Sequence, residues 1–271
     1  MRRTLGSGRF LGALLCAASV MAAPGLTRAQ APAASPPDAR AILLGMAEFL
    51  GKTPRMSVTV QAGYDAVQAS GHKLEWNELR TVTVSRPDRL RMEAERSDGS
   101  RSLVVFDGAA ISTFDEASRV YARAPQPGGV DEALVYLVRD LGIRFPLAVL
   151  LVSGAPAELQ RRVKSVQYVE KTGILGAPAH HIAGWTDTVD FQAWIAAGEQ
   201  PLPLRIVLTY KDAPGQPQFR AHFSSWNVAA QPVDSFFTFS PPADATRIPF
   251  AVAMPRMAPG AKGAAAKKGA K

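Results

Sequence analysis

The feature that most constrains the fold of this chain is a change of hydrophobic period at Met56. From there to Arg123, apolar residues alternate with polar ones, a period typical of strands with one buried face. The dipeptides Asp98-Gly99 and Asp107-Gly108 separate such runs and are typical of tight hairpin turns. Because strands joined by hairpins pair antiparallel, this region predicts about six antiparallel strands.

Helices are predicted at three places. Ser35, Pro36 and Asp38 form an N-terminal capping pattern before an amphipathic helix that Gly51 can end. Its apolar face is Ile42, Leu43, Met46, Phe49 and Leu50. A second helix is predicted over residues 131–141, with Leu134, Leu137, Val138 and Leu141 on one face, and a short third helix over residues 156–163.

Further strands are predicted over residues 165–171, 179–185, 189–195, 204–211, 219–226 and 235–239. Strands that follow one another without regular helical crossovers favour an antiparallel sheet and the α+β class. We therefore expect a curved antiparallel sheet of about 11 strands wrapped around two or three helices, with a cleft between sheet and helices.

The first 29 residues predict a secretory signal peptide. Arg2, Arg3 and Arg9 accompany an apolar run of about 14 residues, whereas a membrane span needs ~20, so an uncleaved anchor is the less favoured alternative. Cys16, the only cysteine, follows Leu14-Leu15 rather than the small residue of a lipoprotein signal. We expect cleavage after Ala29, a linker over residues 30–35, and a periplasmic protein without thiol or lipid modification.

The net charge of +8 comes from the two ends of the chain. Outside residues 1–29 and 256–271, 22 of the 31 basic residues remain against 23 acidic ones. A folded nucleic-acid-binding surface is not expected, because phosphate binding needs basic groups concentrated on a folded face. Residues 254–271, rich in Ala, Gly and Lys, predict a disordered tail that is either simply solvated or attracted to an anionic membrane surface.

No local motif for catalysis or metal binding occurs in the sequence. The four histidines are His72, His180, His181 and His222. His180 and His181 are adjacent on a predicted strand and so point to opposite faces, which prevents them from sharing a metal ion. The chain lacks G-x-S-x-G, a P-loop and a helix-opening G-x-G-x-x-G. We expect no catalytic residue, metal or cofactor, with a hydrolase built from dispersed residues as a minor alternative.

Six segments, taken in order, resemble DUF2092, a family of predicted periplasmic bacterial proteins of unknown function. They are Arg86-Pro87-Asp88-Arg89-Leu90-Arg91, Phe106-Asp107-Gly108, Val120-Tyr121-Ala122, Phe145-Pro146-Leu147, Trp194 with Gly198 and Pro201-Leu202-Pro203, and Phe237-Thr238-Phe239-Ser240-Pro241-Pro242. By further similarity, a helix before a long meander resembles the LolA/LolB-like superfamily. That resemblance implies a half-barrel over residues 36–253, closed by helices over a cavity for lipids or acyl chains.

The resemblance implies a non-enzymatic periplasmic protein that binds a lipid or other long apolar ligand, as a soluble carrier between envelope membranes. The alternative is an interaction or sensor module of the same fold that binds an envelope protein partner. Candidate residues for the concave face of the sheet are Leu90, Met92, Val104, Phe106, Phe114, Phe191 and Trp194, and for the helical lid Leu134, Leu137 and Leu141. Apolar side chains suit an acyl ligand because each buried methylene contributes about 0.8 kcal/mol. The same side chains could instead meet in a filled core.

Overall fold

The computed structural model describes residues 37–250. The predicted signal peptide, linker and basic tail lie outside these residues. Within them the chain forms helices α1 (Ala39–Lys52), α2 (Val130–Arg139) and α3 (Ala155–Arg162), and two short 3-10 turns, Ala148–Leu151 and Asp234–Phe237. The strands are β1 (Arg55–Val67), β2 (Lys73–Ser85), β3 (Arg89–Arg96), β4 (Arg101–Phe106), β5 (Ala110–Asp115), β6 (Val120–Pro125), β7 (Ser165–Thr172), β8 (Ala179–Trp185), β9 (Val189–Ala196), β10 (Pro203–Tyr210), β11 (Gln218–Asn227) and β12 (Thr246–Arg247).

The strands form one sheet in the order β12-β6-β5-β4-β3-β2-β1-β11-β10-β9-β8-β7. Two antiparallel meanders, β1–β6 and β7–β11, meet where β1 pairs with β11. The short strand β12 pairs parallel with β6 through Thr246 and Arg247. The prediction of an α+β fold with a curved antiparallel half-barrel sheet is confirmed, except that the short edge strand β12 is parallel to its neighbour.

The sheet has an inner face, which the helices cover, and an outer face. Val58, Val82, Met92 and Val104 are paired in turn across β1 to β4 and share the inner face. They belong to the apolar core or pack against it, together with Leu43, Met46 and Leu50 of α1. Side chains alternate along each strand, so the residues between them face outwards. The period-two pattern in the sequence therefore indicates a sheet with one face packed against the helices.

Helix α1 begins and ends differently from the prediction. Asp38, not Ser35, is the N-cap: its Oδ1 accepts hydrogen bonds from the backbone N–H groups of Arg40 (2.9 Å) and Ala41 (3.2 Å). The helix continues past Gly51 to Lys52. A Cβ at position 51 would lie 2.9 Å from the carbonyl oxygen of Ser153, so this glycine permits close packing rather than ending the helix.

The predicted strand over residues 235–239 is wrong. Residues 228–250, which we call the C-terminal strap, cross the outer face from β11 to β12 with a 3-10 turn at Asp234–Phe237. Arg91 of β3 donates a hydrogen bond to the carbonyl oxygen of Phe236 (3.0 Å). The ring of Phe239 lies 5.9 Å from that of Phe114 on β5. Because this segment crosses a face of the sheet and not an edge, it has no strand there to pair with.

None of the helices in residues 37–250 is long and apolar enough to cross a membrane.

Candidate functional site

An apolar cavity lies between the inner face of the sheet and the segment that joins α2 to α3. We call residues 142–153 the lid segment. The floor of the cavity comes from β1, β2 and β11 and consists of Val58, Val60, Ala62, Val82, Phe219 and Phe223. The lid segment contributes Phe145, Pro146, Leu147, Leu150 and Leu151, and Leu50, Trp226, Glu78 and Arg80 complete the lining. The cavity measures about 30 Å³, room for one or two water molecules.

The lid segment is a closed turn rather than a regular helix. The backbone N–H of Ala148 donates to the carbonyl oxygen of Phe145 (3.0 Å), and that of Leu150 to Leu147 (3.0 Å). Pro146 has no N–H to donate, which suits a turn better than the interior of a helix. Leu147, Leu150 and Leu151 are buried against the core. The apolar run at this point in the sequence therefore covers the sheet.

One ion pair interrupts the apolar lining. Arg80 Nη2 lies 2.6 Å from Glu78 Oε1, and the two side chains are 15% and 14% exposed. The Arg80 guanidinium also lies 5.0 Å from the centre of the Phe145 ring, a cation–π contact between floor and lid. Burial lowers the pKa of Arg80, and Arg96 acts in the same direction, while Glu78 opposes them. The pair brings polar chemistry to an otherwise apolar site.

A second polar cluster, the lid clamp, consists of Arg86, Asp131 and Ser153. Arg86 donates hydrogen bonds to the carbonyl oxygens of Leu151 (2.5 Å) and Thr53 (3.3 Å) and to Asp131 Oδ1 (3.1 Å). Asp131 in turn accepts from the backbone N–H of Ser153 (3.0 Å) and from its hydroxyl. The clamp thereby joins the ends of α1 and β2, the start of α2 and the end of the lid segment.

Most predicted lining residues lie in the core beside the cavity. Leu90, Met92 and Phe106 are buried on the inner face, and Val104 and Phe191 pack partly buried against the same core. Leu134 and Leu137 on α2 are buried, as is Leu141 just after it. Val138, predicted on the same helix face, is 39% exposed instead. None of these residues contacts the cavity itself, so their role as ligand contacts stays a prediction.

Phe114 and Trp194 lie on the outer face, so their predicted place on the concave face is wrong. On β5, Thr113 pairs with Val104 and faces inwards, which turns Phe114 outwards towards Phe239. On β9, Ala193 pairs with Ile206 on the inner face. Trp194 instead stacks on His181 with ring centres 4.1 Å apart. Both strands carry apolar residues at odd and at even positions, so apolar content alone does not show which set of side chains faces inwards.

Glu78 and Arg80 were not among the predicted site residues. They alternate in phase with Val82 and Val84, which are 3% and 0% exposed. A strand whose inner phase changes from apolar to charged marks the place where the core meets a polar opening. That phase relation in β2 was the signal available in the sequence.

The outer face carries an open groove of about 420 Å³ beside the strap. Its apolar side chains include Leu79, Leu103 and Phe114. Three of its four charged residues are paired: Arg101 lies 3.1 Å from Glu95, and Glu93 lies 2.7 Å from Arg91 at the side of the groove. The fourth is Glu116. The groove is thus polar at its walls, unlike the inner cavity.

The histidines do not converge. On β8 the ring of His180 lies near Tyr168, with Nδ1 3.4 Å from the hydroxyl, whereas His181 Nε2 lies 3.0 Å from Gln192 Oε1 on the other face. This opposite orientation confirms the prediction for the adjacent pair. Among residues 37–250 we find no group of three or more His, Cys, Asp or Glu residues that could hold a metal ion.

Gly184 provides a test of the packing around Phe191. A Cβ at Gly184 would lie 2.5 Å from Phe191 Cζ and 2.8 Å from the carbonyl oxygen of Ser165, so Gly184→Ala is expected to lower the free energy of unfolding by about 1–3 kcal/mol. The control is Gly45→Ala in α1, where a Cβ meets no atom within 4 Å and should stabilise the helix by about 0.5–1 kcal/mol. Urea denaturation measures both, and equal stability of the two variants would contradict the close packing.

A family model described as "Predicted periplasmic protein (DUF2092)" matches residues 39–251. No curated protein is significantly similar to the chain.

Three solved structures illustrate the structural similarities. An uncharacterized conserved protein from Thermus thermophilus is 11% identical, with a TM-score of 0.42 over 76% of this chain and 96% of that one. The lipoprotein LppX from Mycobacterium tuberculosis is 17% identical, with a TM-score of 0.40 over 70% of this chain and 96% of that one. A LolA superfamily protein from Nitrosomonas europaea is 13% identical, with a TM-score of 0.36 over 74% and 97%.

The family match rests on the sequence and spans the whole helix-and-sheet domain from α1 to the end of the C-terminal strap. The chain therefore belongs to DUF2092, a family described as predicted periplasmic proteins.

Proposed function

We propose that this protein is a non-enzymatic periplasmic binding protein for a lipid or another long apolar ligand, which it holds between the sheet and the lid segment and carries between envelope membranes. The observation that carries the proposal is the lining of the inner cavity. Of its fifteen residues, only Glu78 and Arg80 are charged. The indole N–H of Trp226 donates to the carbonyl oxygen of Pro203 (3.0 Å), so its polar atom is already satisfied.

The lining offers mainly apolar contacts to an acyl chain. It contains no Ser, Thr, Cys, His or Lys side chain, and its one carboxylate, that of Glu78, is paired with Arg80. Its apolar groups come from two layers, the sheet and the lid segment, that face each other. A ligand between them would be surrounded on both sides, as binding pockets for apolar molecules usually require.

Ligand uptake requires the lid segment to move, because a cavity of about 30 Å³ has no room for an acyl chain. Burial of about ten methylenes contributes on the order of 8 kcal/mol, which exceeds the few kcal/mol needed to break a clamp of hydrogen bonds. The lid segment is short and held by identifiable contacts at Arg80 and Arg86. It is therefore the part of the wall that we expect to open.

A second candidate function, recognition of an envelope protein, is supported by the groove on the outer face. Leu79 is 50% exposed there and lies beside Leu103 and Phe114. Exposed apolar side chains next to paired charges are typical of protein contact surfaces. The attraction of the basic tail to an anionic membrane surface concerns residues outside the described part and stays a prediction from the sequence.

The proposed cavity is tested by filling it. Ala62 on β1 lines the floor and is 2% exposed. Ala62→Leu is expected to weaken binding of a fluorescent long-chain fatty acid at least about tenfold, equivalent to ~1.4 kcal/mol, because the added atoms occupy the ligand's space. Overpacking should lower the free energy of unfolding by only about 1–3 kcal/mol.

The matched control is Ala183→Leu on β8, which adds the same atoms to the outer face. It should leave the affinity unchanged. Circular dichroism confirms that both variants are folded before binding is measured. A folded Ala62→Leu variant that binds the fatty acid as well as Ala183→Leu would show that the ligand does not occupy this cavity.

A further inference from the structure

The inner phase of β2 changes steadily from buried to exposed along the cavity. Val84 and Val82 are 0% and 3% exposed, whereas Trp76 and Leu74 are 43% and 51% exposed. Arg80 and Glu78 lie between them, at 15% and 14% side-chain exposure. The cavity thus has a dry apolar end and a charged end that faces water.

Positive charge predominates at the charged end. Glu78 has two basic neighbours: Arg96 is its cross-strand partner on β3, and Arg80 forms a salt bridge with it. The lid segment adds Arg144, whose guanidinium lies 5.7 Å from the centre of the Tyr64 ring on the inner face of β1. The guanidinium groups of Arg80 and Arg96 therefore lie beside the carboxylate of Glu78. Across the sheet from Arg80, successive strand pairs lead to a second acid, Asp115. It lies three strands away on β5 and accepts a hydrogen bond from the backbone N–H of Ser118 (2.8 Å).

Movement of the lid segment would also change the surroundings of Arg80. Its guanidinium lies 5.0 Å from the centre of the Phe145 ring, which covers it. Within residues 37–250, Glu78 is its one salt-bridge partner. Arg presents five N–H donors in a planar fork, and one carboxylate oxygen does not satisfy them. Displacement of Phe145 would expose donors suited to a carboxylate or a phosphate.

We propose that the ligand is an amphiphile with one acyl chain end and one anionic head, bound with its chain towards Leu50 and Val82 and its head against Arg80 and Arg96. This inference rests on the proposed function. The order of the lining residues sets the orientation: an apolar chain gains most at the apolar end, and the guanidinium groups that can stabilise an anion lie at the charged end. A neutral apolar ligand would form no charge-assisted hydrogen bond with these guanidinium groups.

The inference is tested with three ligands that share a chain and differ in the head: dodecanoate, dodecyl phosphate and dodecanol. Displacement of a fluorescent fatty acid from the full-length mature protein gives the affinities. Both anionic ligands are expected to bind at least about tenfold more tightly than dodecanol, because a charge-assisted hydrogen bond adds to the burial of the chain. Tighter binding of dodecanoate indicates a fatty acid as ligand, and tighter binding of dodecyl phosphate indicates a lipid phosphate head.

Two variants assign the preference to the ion pair. Glu78→Gln removes the competing carboxylate and should increase the ratio of dodecanoate to dodecanol affinity. The double variant Arg80→Met with Glu78→Gln removes the ion pair as a whole and leaves Arg96 as the remaining guanidinium at this end. The ratio should therefore fall below its wild-type value while dodecanol still binds. The control is Arg91→Met with Glu93→Gln, the corresponding pair on the outer face of β3, which should leave the ratio unchanged.

The outcomes separate this inference from the proposed function. Equal affinity of the wild-type protein for dodecanoate and dodecanol, or an unchanged ratio in the double variant, would overturn the anionic head and leave the apolar cavity intact. Failure to bind any of the three ligands would overturn both. Binding of acetate or inorganic phosphate as tight as that of the dodecyl ligands would also overturn the inference, since the chain would then contribute nothing.

Discussion

Replacement of Arg86 by methionine is expected to destabilise the protein by about 3 kcal/mol and to release the lid segment. Arg86 is 15% exposed and donates to two backbone carbonyl groups, those of Thr53 and Leu151, and to Asp131. Hydrogen bonds from a charged donor contribute about 1.5–3 kcal/mol each, and loss of the donor leaves buried acceptors unsatisfied. Asp131 is 32% exposed and keeps its bonds to Ser153, so its share of the loss is smaller.

The control for Arg86→Met is Arg139→Met. Arg139 pairs with Asp140 at 2.9 Å, but its side chain is 74% exposed, and solvent-exposed ion pairs contribute little to stability. Urea denaturation measures the stability of both variants, and hydrogen exchange follows the backbone N–H of Leu150. Faster exchange at Leu150 in Arg86→Met alone would show that the clamp holds the lid segment closed. Equal stability of the two variants, or unchanged exchange, would contradict this role.

The sheet was predictable because its signals are local. A strand with one buried face shows alternation within a few residues, and a tight turn requires a residue that tolerates positive φ. Gly99 and Gly108, in the two Asp-Gly dipeptides, have φ values of +80° and +86°. β8 occupies Ala179–Trp185, the range expected from the sequence. The class of the fold follows from these elements, since meanders without helical crossovers are antiparallel.

The assignment of faces was less predictable because it depends on distant partners. Phe114 and Trp194 are large apolar residues, yet they face outwards because Thr113 and Ala193 pair with the inner phase of neighbouring strands. The outer face is not simply solvated: the C-terminal strap brings Phe239 onto Phe114 and Tyr121. A long-range cover of this kind leaves no periodic signal in the strand that it covers.

The sequence indicated an apolar cavity but not its position, and the use of that cavity as a ligand site stays a prediction. An apolar cavity between sheet and helices was expected, and the structure has one, but it is lined by β1, β2, β11 and the lid segment. The run containing Phe145 and Pro146 is apolar and too short to span a membrane, and nothing in its own sequence shows that it folds over the sheet. Likewise, Arg86 donates to carbonyl groups of residues that are far away in the chain, and no pattern of residue spacing in the sequence predicts such contacts.

The C-terminal strap is expected to contribute strongly to stability through one side chain, Phe237. This residue is 2% exposed in the 3-10 turn that lies against β3. Removal of a buried phenyl ring leaves a cavity, so Phe237→Ala should lower the free energy of unfolding by about 3–5 kcal/mol. The adjacent Phe236 is 36% exposed and stacks under the Arg91 guanidinium at 4.7 Å. Phe236→Ala is therefore a matched control, with an expected loss of about 1 kcal/mol or less.

Urea denaturation and limited proteolysis together distinguish two consequences of Phe237→Ala. If the strap unfolds with the sheet, the denaturation midpoint falls and the transition stays single. If the strap detaches alone, proteases cut within residues 228–250 while the midpoint moves less, because a local opening does not expose the core. Either result shows that Phe237 anchors the strap. Stability and protease resistance like those of Phe236→Ala would contradict that anchoring, and would mean that Phe239 and the pairing of β12 with β6 hold the strap in place without it.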